Sequence, residues 1–280
     1  NQMLVSNSLN NLNKGLGRMQ YLSHRLAAGK KLLVPSDDPI GTGNVMGMYR
    51  GLAETRQYKS NADYGIGIMQ AADGAFFDMT ETLQRARELA VYGAGGTLPE
   101  DSLEALAKEV DELIDHALQI ANSTYTDTYV FGGQEITKPP FVAEKDTNGK
   151  IIEVTFNDAA GSDKPMVVEI GPSSQLDITT PGKTAFETVF QNLISLRDRL
   201  RGEDGGIEAV SKESIGDIEE SISGVLRHQS EVGAKTKRLE ITLNRLDGLD
   251  INLQTLISKT EDIDVAASIM EYKMQENAYR

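Results

Sequence analysis

The side chains that could do chemistry are few and scattered. Cysteine is absent, which removes thiolate nucleophiles, thiolate zinc sites, iron–sulfur clusters and disulfides together. Three histidines remain, His24, His116 and His228, and no two share a helical turn. His228 with Glu231 supplies half of a zinc-binding helix, but the second histidine of a His-Glu-x-x-His arrangement is missing. Asp37-Asp38 offers oxygens to a hard cation, which needs several more in one shaped loop; no third acid stands at a suitable spacing. Before Pro39, Asp38 reads instead as the N-cap of a helix with proline at its first position. Gly15-x-Gly17 precedes no strand-to-helix turn and makes no phosphate loop. With no nucleophile–base pair, phosphate loop or metal cluster, the chain reads as non-enzymatic, with no catalytic residue, metal or cofactor.

Arg85, Arg87 and Glu88 could form a charged contact, yet periodicity alone makes them a solvated helix face. The 280 residues suffice for one large domain or two or three small ones. Lys and Arg number 28 against 42 Asp and Glu, a net charge of −14 that repels phosphate backbones and argues against nucleic-acid binding. No stretch approaches the ~18 apolar residues of a membrane span. No basic-then-apolar leader opens the chain, so the expectation is a cytosolic protein or one exported without a cleaved signal. Asn1 in place of Met suggests a few residues missing at the start. Aromatics are only 6% and Trp is absent, while hydrophobics reach 39%. That balance predicts helix-on-helix packing of aliphatic side chains.

Hydrophobic periodicity supplies the elements. Val5, Leu9, Leu12, Leu16, Met19, Ser23 and Leu26 recur at alternating spacings of four and three, a coiled-coil seam with one polar lapse at Ser23. Gly29 ends it as a C-cap, and residues 30–43, with Pro35, Pro39, Gly41 and Gly43, read as an ordered linker. Ala62, Gly65, Met69, Ala72, Phe76, Met79, Leu83, Ala86 and Ala90 line a second long helix, whose small seam residues let neighbours approach closely. Gly93-Ala94-Gly95-Gly96 closes it, and Thr97 with Glu100 suggests a capping box for a third helix. That helix carries Leu103, Leu106, Val110, Leu113, Ala117 and Ile120.

The pattern changes over residues 134–182, which contain Pro139, Pro140, Pro165, Pro172 and Pro181. Thr147-Asn148-Gly149 is a hairpin signal. Ile152, Val154 and Phe156 alternate with polar neighbours, and 166–170 is a second strand candidate. An insertion of ~45 residues is near the floor for independent folding and must lean on the helices around it. Helical spacing returns at Phe186, Phe190 and Leu193. From Ile215 a seam runs through Leu246, slips by one residue at Gly248, and continues from Leu249 through Leu253, Leu256, Ile263, Met270 and Met274. One nearly continuous helix of about 65 residues would measure roughly 100 Å.

Narrow seams at both chain ends cannot be buried by lone helices. The expected fold is mainly α: an elongated rod of long antiparallel helices, with the N- and C-terminal helices paired as a coiled coil and a small β insertion at the far end. The expected divisions are an arm and linker (1–43), a first helical half (44–133), the β insertion (134–183), a second helical half (184–247) and a C-terminal arm (248–280).

Several of these segments resemble the flagellin superfamily. Arg25-Leu26-Ala27-Ala28-Gly29-Lys30-Lys31 followed by Pro35-Ser36-Asp37-Asp38-Pro39 is similar to the family's hinge between its first two helices. Asn61–Gly65, Gln70–Ala75 and above all Leu83-Gln84-Arg85-Ala86-Arg87-Glu88-Leu89-Ala90-Val91 match its next blocks, and Ile257–Asp264 its carboxy-terminal motif. The likeness covers roughly three-quarters of the chain and omits the β insertion. Thr128-Tyr129-Val130-Phe131-Gly132-Gly133 resembles the turn of the superfamily's hook-associated branch rather than the Phe-Asn-Gly type turn of filament flagellins. That branch's C-terminal arm runs some twenty residues further, so Arg280 suggests a truncation.

What the resemblance implies is a structural role at the junction between flagellar hook and filament, in a protein exported by the flagellar type III apparatus and resident outside the cell. The implied partners are further copies of the chain in a ring, a hook-side junction protein, flagellin, and a cytosolic export chaperone. It implies subunit contacts at Arg85, Arg87, Glu88, Leu89 and Glu109, a stretch that an innate-immune receptor reads in filament flagellins. It implies a hinge at Pro35, Asp37, Asp38 and Pro39. The terminal seams (Leu9, Leu12, Leu16 and Met19; Leu253, Leu256, Ile263 and Met270) would become buried between neighbours on assembly. Two other readings stay open: a filament flagellin, which would grow long filaments alone, and a secreted coiled-coil adhesin whose β insertion is the binding head.

Overall fold

The computed structural model describes residues 2–95, 98–147, 149–159 and 161–279. Seven α-helices dominate the described residues: α1 (Gln2–Ala28), α2 (Pro39–Gly93), α3 (Glu100–Ala121), α4 (Gly182–Leu200), α5 (Gly206–Ala209), α6 (Ile215–Glu261) and α7 (Val265–Tyr279). A π-turn, Val210–Ser214, joins α5 to α6. Between α3 and α4 lie six short strands, β1 (Thr124–Tyr125), β2 (Thr128–Tyr129), β3 (Phe141–Lys145), β4 (Ile151–Phe156), β5 (Val167–Gly171) and β6 (Ser174–Asp177), paired antiparallel as three two-stranded ribbons. The chain divides into two compact units, Asn1–Gln57 with Arg245–Arg280, and Tyr58–Asn244.

In the first unit, α2 starts where the sequence puts it. The Asp38 carboxylate accepts the Gly41 N–H at 2.9 Å, which satisfies one of the donors a helix start leaves open, and Pro39 needs no partner there. α1 and α7 lie side by side and antiparallel. The Ile263 N–H donates to the Gly29 carbonyl at 3.1 Å, while Gly15 faces Gln275 nearer the other end. The nearly continuous helix expected over 215–280 is instead two helices. Gly248, where the seam slips, sits inside α6, and the break comes at 262–264. Asp264 makes that break: its carboxylate accepts the Ala267 N–H at 3.0 Å and caps α7.

The face by which α1 meets α7 also differs from the expected seam. Leu22 is buried, Ser23 is exposed, and Gly15, Met19 and Leu26 are half-buried. Leu9, Leu12 and Leu16 remain 56, 44 and 39% exposed. The side chain of Val5 lies outside the described residues. The cause is angular: α7 covers only part of a stripe that spans more than 100° of a helix.

The second unit is organised on α2. Every expected seam residue from Ala62 to Ala90 is buried, against α3, α4 and α6 residues including Val110, Ile114, Leu193, Val225 and Leu239. The seven Phe residues do not spread through this aliphatic core. Phe76, Phe131, Phe141, Phe156, Phe186 and Phe190 form one connected group of ring contacts where the strands meet the helices, with Phe131 and Phe186 edge-to-face at 4.7 Å. Thus the β segment leans on α3 and α4: Phe141, Ile151, Ile170, Leu176 and Ile178 belong to the same core. On β4 the buried residue is Ile151 and Ile152 is 56% exposed, because the pairing with β3 shifts at Glu144/Lys145. The hairpin residue Asn148 and the capping residues Gly96 and Thr97 lie outside the described residues.

The turn after β2 needs its glycines. Gly133 has φ +62, and a Cβ there would meet the carbonyls of Ser162 and Lys164 at 2.5 Å. A buried ion network then joins α3, α4 and β4. Arg197, 1% exposed, holds Asp111, Asp198 and the Ile151 carbonyl, while Arg201 reaches Asp111 and Glu104. Burial raises the Asp198 carboxyl, but hydrogen bonds from Arg197 and Lys150 outweigh that and hold it below its ordinary value.

Two glycines of α2 give opposite expectations. A Cβ at Gly65 would stand 2.8 Å from Ile178 Cγ2, whereas one at Gly74 meets nothing within 4 Å. Gly74→Ala is expected to stabilise the unit by about 0.5–1 kcal/mol. Gly65→Ala sets the same helical gain against an overpacking cost of about 1–3 kcal/mol and should destabilise. Urea unfolding of the two variants checks the sign; a stabilising Gly65→Ala would refute close packing at that point.

Candidate functional site

Where the chain's two ends come together, one carboxylate ties three segments. Glu261, the last residue of α6, is 9% exposed. It accepts the Lys30 ammonium at 2.6 Å on one oxygen and the Tyr49 hydroxyl at 2.7 Å on the other. Its carbonyl accepts the Lys31 N–H, and Lys30 pairs with Asp262 as an isolated antiparallel bridge. Lys30 follows α1 and Tyr49 lies in the third turn of α2, so the ends of α1 and α6 and the first part of α2 share a single acid. Burial pushes the Glu261 carboxyl up, but the Lys30 and Tyr49 hydrogen bonds more than offset it and hold the group below the usual carboxylate range. Their respective hydrogen bonds to Glu261 raise Lys30 and Tyr49 above their ordinary values.

The expected hinge residues lie beside this tie. Asp37 accepts the N–H groups of Leu33 and Val34 at 3.1 and 3.2 Å, and the Val34 N–H is the foremost reason its carboxyl sits low. Tyr21 of α1 also bonds Asp37, which contributes to raising the phenol after burial. Asp38 is the α2 cap, and Pro35 and Pro39 flank the pair. Both aspartates are therefore engaged with backbone. Among the described residues no group of three or more His, Asp or Glu is placed to hold a metal ion.

The terminal seam residues fall into two sets. Met19, Leu253 and Ile263 are half-buried. Leu9, Leu12, Leu16, Leu256 and Met270 are exposed in the single chain, with Met274 beside Met270 on α7.

On the second unit, Arg85 bridges Glu88 at 2.8 Å and Glu109 of α3 at 2.6 Å, and Arg87 reaches Glu219 of α6 at 2.7 Å. These charges lie at the surface, beside exposed Val91 and Tyr92 in a shallow groove. Leu89 does not: at 4% exposure it is part of the core. Its place on the seam side of α2, three residues from Ala86, buries it in the single chain. Sequence reasoning missed the Glu261 tie. Lys30 and Glu261 both stood within recognised motifs, but a contact between residues 231 positions apart leaves no local signal. Among the described residues no helix is long and apolar enough to cross a membrane.

With this geometry in place, comparison with known proteins defines the class. The bacterial flagellin N-terminal helical region matches residues 1–135 and the flagellin C-terminal helical region matches residues 215–277, so the chain belongs to the flagellin family. It is similar to flagellar hook-associated protein 3 of Escherichia coli, 23% identical over 99% of this chain and 92% of that protein. It is also similar to a flagellin of Halalkalibacterium halodurans, 26% identical over 95% of this chain and 86% of the relative. The crystal structure of the flagellar junction protein FlgL from Legionella pneumophila shares the fold, with a TM-score of 0.60 at 12% identity over 80% of this chain and all of that one.

The Glu261 tie makes a pH prediction. A carboxyl lowered by folding contributes stability that is complete above its unfolded pKa of about 4.3 and is lost as pH falls through the folded value. Lys30 and Tyr49, raised by folding, contribute below their unfolded values and lose that contribution as pH rises through the folded ones. Glu261→Gln should speed hydrogen exchange at the Lys31 and Ile263 amides near neutral pH. It should also flatten the acid limb of their stability. Wild-type pH dependence in the variant would show that another group carries the tie.

Proposed function

We propose that this chain is a structural subunit of the bacterial flagellum that joins hook to filament by self-assembly and by contact with unlike neighbours, with no enzymatic step. The observation that carries the reading is the end-to-end alignment with a hook-associated protein 3, 99% of this chain against 92% of the relative. The Thr128–Gly133 turn, with Val130 and Phe131 buried between the helical halves, favours the same branch. The partners proposed are further copies in a ring, a hook-side junction protein, flagellin, and a cytosolic export chaperone that holds the C-terminal arm. The proposed route is flagellar export without a cleaved signal, and the proposed residence is the extracellular flagellum.

Assembly is a physical consequence of the open terminal strips. Leu9, Leu12, Leu16, Leu256 and Met270 expose apolar area that the single chain leaves in water. Covering it between copies gains about 25 cal/mol for each Å² removed from water. Arg85, Arg87, Glu88 and Glu109 are proposed as the polar part of the contact, supported by their exposure on adjacent helices. The likeness to a flagellin favours a second reading, a filament subunit.

Complementation of a flagellated cell lacking its junction protein separates the two. A junction protein restores filaments and reduces the flagellin spilled into the medium; a filament subunit leaves hooks bare and polymerises alone in vitro. Leu9, Leu12 and Leu16 changed together to Gln should leave the fold of the single chain intact, each exposed site costing within about 0.5 kcal/mol. Filaments should nevertheless be lost. A triple variant that still restores them would remove the α1 strip from the assembly surface.

A further inference from the structure

With no cysteine, methionine is the side chain of this protein most readily oxidised by peroxides, and its methionines range from buried to exposed, with Met19, Met48 and Met166 half-buried between the extremes. Met69 and Met79 lie in the core of the second unit at 1 and 0% exposure. Met46, Met270 and Met274 are exposed at 62, 62 and 66%. Met270 and Met274 are four residues apart on α7 and therefore share one face. Each stands two residues from Tyr272, and Met270 also two from Ser268, which puts them about 200° around the helix from those side chains. Ser268 is buried and Tyr272 and Gln275 are half-buried on one face of α7, and Gln275 meets Gly15 of α1. α7 thus turns a serine, a tyrosine and a glutamine to its covered face and both thioethers to solvent.

We infer that Met270 and Met274 form an oxidative modification site that switches the terminal strip from apolar to polar. Each thioether takes one oxygen from its own molecule of hydroperoxide, so the pair consumes two. The O–O bond breaks and an S–O bond forms; sulfur loses two electrons, and hydrogen peroxide is reduced to water. The product sulfoxide carries a strongly polar oxygen, which is penalised when buried without a hydrogen-bond donor. Sulfoxide reductases reverse the change, so the switch is resettable. The consequence for assembly rests on the strip being the surface proposed above; the selectivity of the oxidation does not. Met46, equally exposed but on α2 beside Val45 and Tyr49, provides an internal control.

The test uses the full chain treated with hydrogen peroxide, followed by peptide mass spectrometry and by sedimentation. Met46, Met270 and Met274 should oxidise at least about tenfold faster than Met69 and Met79. Oxidised wild-type protein should associate at least about tenfold more weakly than untreated protein. M270L/M274L, which keeps shape and hydrophobicity, should associate and stay peroxide-resistant, whereas M46L should lose association as wild type does. Equal oxidation rates, undiminished association of the doubly oxidised chain, or protection by M46L alone would each overturn the inference. Untreated wild type that never associates would overturn the assembly reading and the switch with it, and the mass spectra distinguish that result from failure of the site itself.

Discussion

A helix with apolar side chains every three and four residues has to find another helix to cover them, and this chain consists largely of such helices. In the second unit the demand is met within the molecule. α2 is enclosed by α3, α4 and α6, and its alanines and Gly65 let those helices come close enough to exclude water. In the first unit it is met in part. α1 is covered by α7 on one side, and the leucines outside their contact stay exposed. One constraint, satisfied fully in one place and incompletely in another, gives both a stable core and a surface that gains from a neighbour.

The polar interactions do a different job. Glu261 contributes little hydrophobic area, but it sets where the N-terminal helix ends relative to the C-terminal ones, through a partly exposed lysine and a tyrosine. A buried carboxylate leaves no freedom in its partners: removing either donor leaves an oxygen short of a hydrogen bond. Arg197 acts similarly in the second unit, where its guanidinium fixes the β3–β4 ribbon against α3 and α4. All of the acidic surplus lies in the second unit; in the first a basic N-terminal arm and an acidic C-terminal arm offset each other, so the unit as a whole is close to neutral and adds little repulsion to apolar contact there.

Much of this was legible in the residues. The α2 seam from Ala62 to Ala90 is buried throughout, the Asp38 cap forms with its proline, and the strands fall near 152–156 and 166–170. The misses have identifiable causes. Regular spacing points to Ser23 on the α1 seam, whereas in the fold Leu22, one position away, is the buried residue. Apolar spacing continues across the break after Glu261 and hides it; the Asp264 cap, a local signal, overrides the spacing.

By itself, the sequence determined the helical class, the placement of long seams, the interruption by a β segment and the absence of thiol chemistry, because periodicity and composition are properties of neighbours along the chain. Tertiary structure alone decided which side of α1 and α7 is covered, that Glu261 binds Lys30 and Tyr49, and that six phenylalanines gather at one place. Those outcomes depend on which surfaces compete for the same stripe of a helix and on contacts between residues hundreds of positions apart. Local spacing records that a face must be buried; only the arrangement of partners settles how much of it is.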